Sequence, residues 1–266
     1  MDTVPFFEVL AFTNRPFTGN PAGVCLLEND WWPDDLMQRI AAENNLAETA
    51  FVLPRGDHFD LRWMTPTVEV DLCGHATLAS AHVLFRHRSF ADSTIVFSSK
   101  SGELRVTREG KRLVLDFPSR PPEELEESPK GLSDALGAQP ECVLDGRDYL
   151  AVFQNAAAVA DLRPDFAAVA NLDRQGLIAT APGDDCDFVS RYFAPAAGIP
   201  EDPVTGSTHC TLIPYWSRRL NQRTLRARQI SPRGGELFCE ACGDRVRIGG
   251  EAITYVSGEI YPGPGV

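Results

Sequence analysis

Short stretches of alternating or β-branched apolar residues run through both halves of the chain and predict a mostly β protein. Each is bounded by Gly, Pro, Asn or Asp. In the first half, the predicted strands cover residues 5–12, 48–53, 58–63, 94–97, 102–107 and 113–117.

Two segments of the first half predict helices instead. Residues 33–44 begin with a proline followed by two aspartates, which favours the first turn of a helix. Residues 75–86 are apolar or small on nearly every side, so a helix there must be buried on most sides. Short strands around one buried helix indicate a β-barrel-like module that wraps around a central helix.

The second half of the chain repeats this pattern. The matching segments are 62–66 with 191–195, 73–75 with 205–207 and 101–115 with 234–248. Three matches in the same order, at nearly the same spacing, predict two copies of one module. The central helix of the second copy would cover residues 207–218, where Pro214 predicts a kink or an early end.

A proline-rich, acidic segment without apolar periodicity, residues 118–129, separates the two copies and predicts a linker. We therefore predict an N-terminal domain over residues 1–118 and a C-terminal domain over residues 119–256. The last residues, 257–266, are expected to pack on the first domain.

Composition and charge exclude several classes of function. The chain has 266 residues, and 25 Lys+Arg against 37 Asp+Glu give a net charge of −12, which disfavours a nucleic-acid or anionic-membrane partner. No apolar run approaches the ~18–20 residues of a membrane span. Seven scattered cysteines are typical of reduced thiols, so we expect a cytoplasmic protein.

No cofactor or metal is expected from the motifs of the chain. Only three lysines are present, which disfavours a pyridoxal Schiff base, and no nucleotide-binding fingerprint occurs. Cys239 and Cys242 form a lone C-x-x-C pair with no second pair at zinc spacing.

Two glycine-containing pairs, Gly74-His75 and Gly206-Ser207, stand where the two buried helices are predicted to begin. Unpaired amides and the helix dipole make such a site attractive to an anion, and both helices would serve one cleft if the modules face each other. The alternative is that the glycines form tight turns and that Ser207 only caps its helix.

Two acids are candidates for chemistry. Glu48 lies in an apolar strand segment and suits a general base, and the repeat places Ala179 at its counterpart. Asp202 precedes the second buried helix and would bind a substrate amine or orient His75. The alternatives are a solvent-facing strand glutamate and a turn aspartate before proline. Residues 20–23, which begin with Asn20, predict a turn.

Four segments of the chain resemble motifs of the PhzF-like (phenazine-biosynthesis-like) proteins. They are residues 14–24 (NRPFTGNPAGV), 45–51 (NLAETAF), 71–79 (DLCGHATLA) and 201–209 (EDPVTGSTH). The resemblance implies the α+β diaminopimelate-epimerase fold, in which two similar domains, each a β-barrel-like sheet around a central helix, have the active site between them.

The namesake enzyme of that family isomerises a dihydro-hydroxyanthranilate by moving a proton between two carbons, without cofactor or metal. The resemblance implies that Glu48 is the proton shuttle and that His75, Asp202 and Ser207 position the substrate. It also implies a small carboxylate-bearing substrate and suggests a homodimer. The substrate-binding residues that we expect are Asn20, Cys73, Gly74, Gly206 and Ser207.

Two other functions stay open on the sequence. One is an amino-acid epimerase or racemase, because Cys73 lies where the two-thiol epimerases of this fold place one catalytic cysteine. Thr205 occupies the second position, which disfavours a two-thiol mechanism. The other is a non-catalytic, ligand- or protein-binding member of the same fold.

Overall fold

The computed structural model of the chain describes residues 3–263. Its strands are β1 Val4–Ala11, β2 Asn20–Leu26, β3 Glu48–Arg55, β4 His58–Met64, β5 Glu69–Val70, β6 Thr94–Ser99, β7 Gly102–Glu109, β8 Arg112–Pro118, β9 Glu123–Glu124, β10 Cys142–Asp145, β11 Tyr149–Val152, β12 Leu177–Pro182, β13 Phe188–Ala194, β14 Ile199–Asp202, β15 Thr224–Gln229, β16 Gly235–Cys242, β17 Arg245–Gly250 and β18 Ala252–Ile260. Its α-helices are α1 Asp34–Asn44, α2 Gly74–His87, α3 Leu132–Leu136, α4 Ala156–Ala160, α5 Phe166–Ala170 and α6 His209–Leu220.

The chain divides into two compact units. Unit 1 comprises Met1–Asp116 with Gly249–Val266, and unit 2 comprises Phe117–Ile248. We expected residues 257–266 to pack on the first domain, but the chain already returns to unit 1 at Gly249. It does so because β18 pairs with β1 along its whole length. Positions 1–2 and 264–266 of the predicted N-terminal domain lie outside the described residues.

Both units have the same succession of strand pairings. In unit 1, β1 and β2 are antiparallel, β2 and β3 are parallel, and β4 is antiparallel to β3 and β5. Strand β6 is then parallel to β4 and antiparallel to β7. Strands β10 to β16 of unit 2 repeat every one of these pairings with the same sense. The predicted internal repeat is therefore confirmed.

One buried helix follows the same strand in each unit, α2 after β5 and α6 after β14. Helix α2 contacts β1, β2, β3, β7 and β18, and it is buried continuously from Gly74 to Ala81. Its polar residues are accommodated because Thr77 and Ser80 donate their hydroxyl protons to carbonyls four residues earlier. The α+β class, with a sheet around a central helix, is confirmed.

Of the two outcomes predicted for Pro214, a kink or an early end, the early end is wrong, because α6 continues past the proline. Pro214 has no N–H to donate to the carbonyl of Cys210, and an unpaired buried carbonyl would cost free energy. The N–H of Arg120 donates to that carbonyl instead, at 2.8 Å. The segment predicted as a linker thus satisfies the backbone of α6, which continues to Leu220.

An arginine–glutamate pair occurs at the same place in each unit, partly buried in unit 1 and more deeply buried in unit 2. Arg62 of β4 donates two hydrogen bonds to Glu69, and Arg191 of β13 donates two to Glu201. The two arginines come from one of the matched sequence segments, so the repeat extends to side-chain contacts.

The register of the strands corrects the predicted counterpart of Glu48. Arg62 pairs with Phe51, whereas Arg191 pairs with Ala179. When the two arginines are aligned, Phe51 is equivalent to Ala179, a shift of 179 − 51 = 128 positions. The same shift makes position 48 + 128 = 176, a glycine, the equivalent of Glu48. The prediction of Ala179 was wrong because it ignored this register, although neither residue is an acid.

The outer faces of the sheets are covered by the remaining helices. In unit 1, α1 inserts Leu36, Met37 and Ile40 against strand residues that include Phe51. In unit 2, the short helices α3, α4 and α5 contribute to one core with β11, β12 and β13. Within residues 3–263, no helix combines the length and the apolar character needed to cross a membrane.

Candidate active site

Three elements of unit 1 bring polar residues to the start of α2. Asn20 is the first residue of β2, Glu48 is the first residue of β3, and His75 is the second residue of α2. The parallel pairing of β2 with β3 sets Ala22 beside Glu48, so both strands begin at the same edge. All three polar side chains are buried, with 0% to 7% of each residue exposed.

The turn predicted at residues 20–23 was wrong, since Asn20 already belongs to a strand. The chain turns earlier, at Gly19, whose φ of +72° favours glycine. A Cβ at this position would lie only 2.3 Å from the carbonyl oxygen of Ala11. The glycine of the NRPFTGN segment therefore places the asparagine that follows it.

The predicted residues Asn20, Glu48, Cys73 and His75 form one hydrogen-bonded and charged cluster. The His75 Nε2 lies 3.0 Å from the Glu48 Oε2, and the Asn20 Nδ2 lies 3.1 Å from the His75 Nδ1. The Cys73 Sγ is 3.5 Å from the His75 Nδ1 and 4.0 Å from its Nε2. The imidazole thus contacts the three other side chains.

The charge of the cluster is set by burial and by this proximity. Burial lowers the pKa of His75, but the adjacent Cys73 and Glu48 outweigh burial and hold it well above its usual value. Burial also raises the pKa of the Cys73 thiol to about 11, with a further contribution from Glu48. Both shifts favour the protonated form at neutral pH, an imidazolium at His75 and a thiol at Cys73.

One oxygen of Glu48 is not satisfied by a directed hydrogen bond. The Oε2 is buried, and no donor among residues 3–263 is aligned with it, although the His75 ring lies beside it. A buried oxygen without an aligned donor is costly for a fold, and such groups are commonly found where a ligand or a reacting proton is received.

Helix α2 begins at Gly74, at the Gly74-His75 pair where the sequence predicts a helix start. Cys73 is the N-cap in an extended conformation, and its side chain does not cap the helix. No hydrogen-bond acceptor within the described chain is found for the amides of Gly74 and His75. An anion site requires such unpaired amides, and the predicted anion site itself stays a prediction.

In unit 2, Asp202 lies at the end of β14 within a buried hydrogen-bonded group. Its carboxylate accepts a hydrogen bond from the Thr205 hydroxyl. The Gln229 side chain accepts a hydrogen bond from the Thr205 amide at 2.8 Å and donates to the Asp202 carbonyl at 2.7 Å. Thr205 thus holds Asp202, and the position that would carry a second thiol has this structural role.

Gly206 and Ser207 form a turn that precedes α6, and the helix begins at His209 rather than at Ser207. The first amides of the helix, those of His209 and Cys210, donate to carbonyls three residues earlier. Thr208 occupies the N-cap without a side-chain cap, so Ser207 does not cap the helix. Whether these residues and Glu48 serve one active site stays a prediction.

The sequence motifs did not indicate three buried polar residues of unit 2. They are Gln229 beside Asp202, Asp148, which accepts a hydrogen bond from Tyr192 at 3.1 Å, and His209 in the first turn of α6. Burial raises the pKa of Asp148 above its usual range. Only the histidine had a signal, because it follows the matched Gly206-Ser207 pair.

Two sets of side chains bear on metal binding. Cys239 and Cys242 both lie in β16, three positions apart, so they point to opposite faces and cannot bind one ion together. Glu48, Cys73 and His75 are the only three metal-ligating side chains in the described ranges whose ligand atoms all lie within 4.8 Å of one another.

Comparison with known proteins places these residues in a family. The family model for phenazine biosynthesis-like proteins matches residues 9–258. An uncharacterized isomerase of Pseudomonas aeruginosa is 54% identical over 256 residues, which cover 96% of this chain and 97% of that protein. The crystal structure of a PhzF family protein of Enterococcus faecalis superposes with a TM-score of 0.95 at 49% identity, over 98% of this chain and 100% of that one.

A more distant structure shares only the fold. A hydroxyproline epimerase of Agrobacterium vitis superposes with a TM-score of 0.63 at 9% identity, over 97% of this chain and 92% of that one. The matching family model, the close relatives and the matching fold agree with the four motifs, and the chain belongs to the phenazine biosynthesis-like (PhzC-PhzF) family.

Proposed function

We propose that the chain is an isomerase that moves a proton between two carbons of a small, carboxylate-bearing substrate, with Glu48 as the proton shuttle. The observation that carries the proposal is the buried Glu48 carboxylate, whose Oε2 lies 3.0 Å from His75 and receives no aligned hydrogen bond from residues 3–263. The close relative named an isomerase supports the class of reaction.

The proposed reaction has two proton transfers. The Glu48 carboxylate removes a proton from one substrate carbon, and the electron pair of that C–H bond delocalises into the conjugated system of the substrate. The protonated Glu48 then returns the proton to a second carbon, where a new C–H bond forms. The same residue serves both steps, so the proton moves on one face of the substrate.

His75 and Asn20 support this exchange as positioning residues. The positive charge of His75 beside Glu48 stabilises the carboxylate before the first transfer and after the second. The Asn20 amide contacts the other ring nitrogen, and because an amide both donates and accepts, it fits either protonation state of the imidazole.

We propose that the carboxylate of the substrate binds at amides near the helix starts, those of Gly74 and His75 in unit 1 and Gly206 and Ser207 in unit 2. Asp202 would then bind a positively charged or hydroxyl group of the substrate. The support for these roles is their order in the repeat and the resemblance of both segments to the family motifs.

A thiol mechanism is less well supported. Burial keeps the Cys73 thiol protonated at neutral pH, with a pKa of about 11, so it is a poor base. Thr205 stands in the second thiol position and is bonded to Asp202. A purely binding function has no need of a buried base, whereas Glu48 lies buried beside the His75 ring.

The test is proton exchange with solvent in heavy water. A dihydro-hydroxyanthranilate and a panel of cyclic and amino carboxylic acids serve as probes, with deuterium incorporation measured by NMR and mass spectrometry. The Glu48→Gln variant keeps the shape of the side chain but removes the base. We expect its exchange rate to fall by roughly 10²- to 10⁴-fold, while probe binding is nearly unchanged.

Two other variants make this test specific. Glu43→Gln changes an exposed glutamate of α1 and should keep the wild-type rate. Cys73→Ser should reduce the rate far less than Glu48→Gln. If Cys73→Ser abolishes exchange while Glu48→Gln retains it, the protein is a thiol-based epimerase and the proposal is wrong.

A further inference from the structure

The Glu48, Cys73 and His75 side chains combine three kinds of metal ligand in one buried place. A carboxylate, a thiol and an imidazole all lie within 4.8 Å of one another. Proton transfer by Glu48 does not use the thiol, so the sulfur of Cys73, which we expect only to contact the substrate, has no chemical role in that reaction. This combination is the ligand chemistry of zinc sites that keep one position open.

The distances are close to those that a tetrahedral ion requires. Bonds of about 2.3 Å to sulfur and about 2.0–2.2 Å to nitrogen and oxygen set neighbouring ligand atoms roughly 3.3–3.6 Å apart. The observed separations are 3.0 Å between the Glu48 Oε2 and the His75 Nε2, and 4.0 Å between that nitrogen and the Cys73 Sγ. The Glu48 and Cys73 ligand atoms lie within 4.8 Å of each other. Side-chain rotations that bring these atoms closer by about 1 Å would complete the geometry.

The surroundings of the imidazole suit a metal ligand as well. A histidine that binds a metal through Nε2 usually donates its Nδ1–H to a fixed acceptor. Asn20 lies 3.1 Å from the His75 Nδ1, and its amide oxygen would take this role after rotation of the amide. The Glu48 Oε2, which lacks an aligned donor, would be satisfied by the ion.

We propose that Glu48, Cys73 and His75 form a binding site for a thiophilic divalent cation such as Zn²⁺, and that the bound ion inhibits the protein. The thiol proton of Cys73 and the Nε2 proton of the His75 imidazolium both leave to solvent when the Zn–S and Zn–N bonds form, and the thiolate and the carboxylate then balance the charge of the ion. Mg²⁺ and Ca²⁺ do not fit, since they prefer sites made entirely of oxygen. The inhibition, but not the binding, rests on the proposed function.

Binding is tested with Co²⁺ as a spectroscopic substitute for Zn²⁺, which needs no substrate. We expect a thiolate-to-cobalt charge-transfer band in the near ultraviolet that Zn²⁺ abolishes by competition. Zn²⁺ affinity, measured by titration calorimetry, should fall at least tenfold in Cys73→Ser. The double variant Cys239→Ser/Cys242→Ser is the matched control and should keep both the band and the affinity.

Circular dichroism shows whether each variant is folded, and Cys73→Ala provides a second test if the serine variant is not. Absence of the band in the wild-type protein, or its persistence in both Cys73 variants, would overturn the site. So would equal affinity for Mg²⁺ and Zn²⁺.

Inhibition is tested separately in the exchange assay. Zn²⁺ should stop deuterium incorporation, and a chelator should restore it. If Zn²⁺ binds with the expected spectrum and exchange continues, the inhibitory role is wrong while the site stands. If no probe exchanges in the metal-free protein, the proposed function fails, and the cobalt spectrum still decides whether the site exists.

Discussion

Protonation of His209 should determine how the stability of unit 2 depends on pH. This histidine is fully buried in the first turn of α6. Its Nδ1 donates to the Thr205 carbonyl at 2.8 Å, and no partner of Nε2 is found among residues 3–263. Burial lowers its pKa from 6.5 to about 4, so the ring is neutral in the folded protein at neutral pH.

The sign and size of the effect follow from the two pKa values. The unfolded chain takes up a proton as the pH falls through 6.5, whereas the folded protein takes one up only near 4. Stability is therefore fully present above pH 6.5 and decreases below it, by about 1.4 kcal/mol per pH unit. Between about pH 7 and about pH 5, His209 should account for about 2 kcal/mol of lost stability.

The perturbation is His209→Asn, which keeps an amide donor near the position of Nδ1 but cannot be protonated. Urea unfolding at both pH values is followed by tryptophan fluorescence. Trp216 reports on this region because its ring stacks on Phe188, 5.6 Å away, and the His209 ring lies 5.9 Å from the same phenylalanine. The variant should lose about 2 kcal/mol less than the wild type over this interval.

His58→Asn, a change at a surface histidine, controls for the general loss of a histidine and should keep the wild-type difference. The lower stability of His209→Asn at pH 7, from the space left by the ring, does not affect the comparison between the two pH values. A variant that retains the full pH-dependent loss would refute the idea that burial keeps His209 neutral.

Two further predictions concern the repeated ion pair and the anion site. Arg191→Met should lower the free energy of unfolding by about 3–5 kcal/mol in urea titrations, because it leaves the Glu201 carboxylate and the Leu162 carbonyl unpaired. Arg62→Met changes a more exposed pair and should lower the free energy of unfolding by less. Equal losses in the two variants would contradict this reasoning. Ser207→Ala should weaken binding of the acid identified in the exchange assay by about 1–2 kcal/mol without a change in stability, and an unchanged affinity in calorimetry would count against this site.

Most of the secondary structure could be predicted because the spacing of apolar residues shows which face of a strand or helix is buried. Strands β1, β3, β4, β6, β7 and β8 and helices α1 and α2 lie within a few residues of their predicted positions, whereas β2, β5 and β18 were not predicted as strands. The exceptions depend on contacts distant in sequence. Nothing near Pro214 indicates that Arg120 would satisfy the carbonyl of Cys210, and nothing near Asn20 indicates that a strand starts there.

The candidate site could be predicted only where a motif marks it. The segments around Glu48 and His75 are recognisable, and the structure brings both together with Asn20 and Cys73. Gln229 could not be found, because a polar residue in a strand is usually exposed and only the tertiary structure places it against Asp202.

The internal repeat separates residues that the fold requires from residues that it does not. Both units contain an arginine–glutamate pair between equivalent strands, so this pair serves the folding of each unit. In unit 2, Tyr192 of β13 pairs with Asp202. In unit 1, Trp63 is the equivalent of Tyr192, and it pairs with Val70. The same fold therefore forms with an acid or a valine at this position.

The same reasoning applies to Glu48, whose counterpart by strand register is a glycine. A buried carboxylate lowers stability unless it is compensated, and a unit with the same strand pairings folds without one. Folding of this architecture therefore does not require an acid at position 48. The proton transfer that we propose gives Glu48 a role outside folding, and this is why the Glu48→Gln variant should lose exchange activity while the fold is retained.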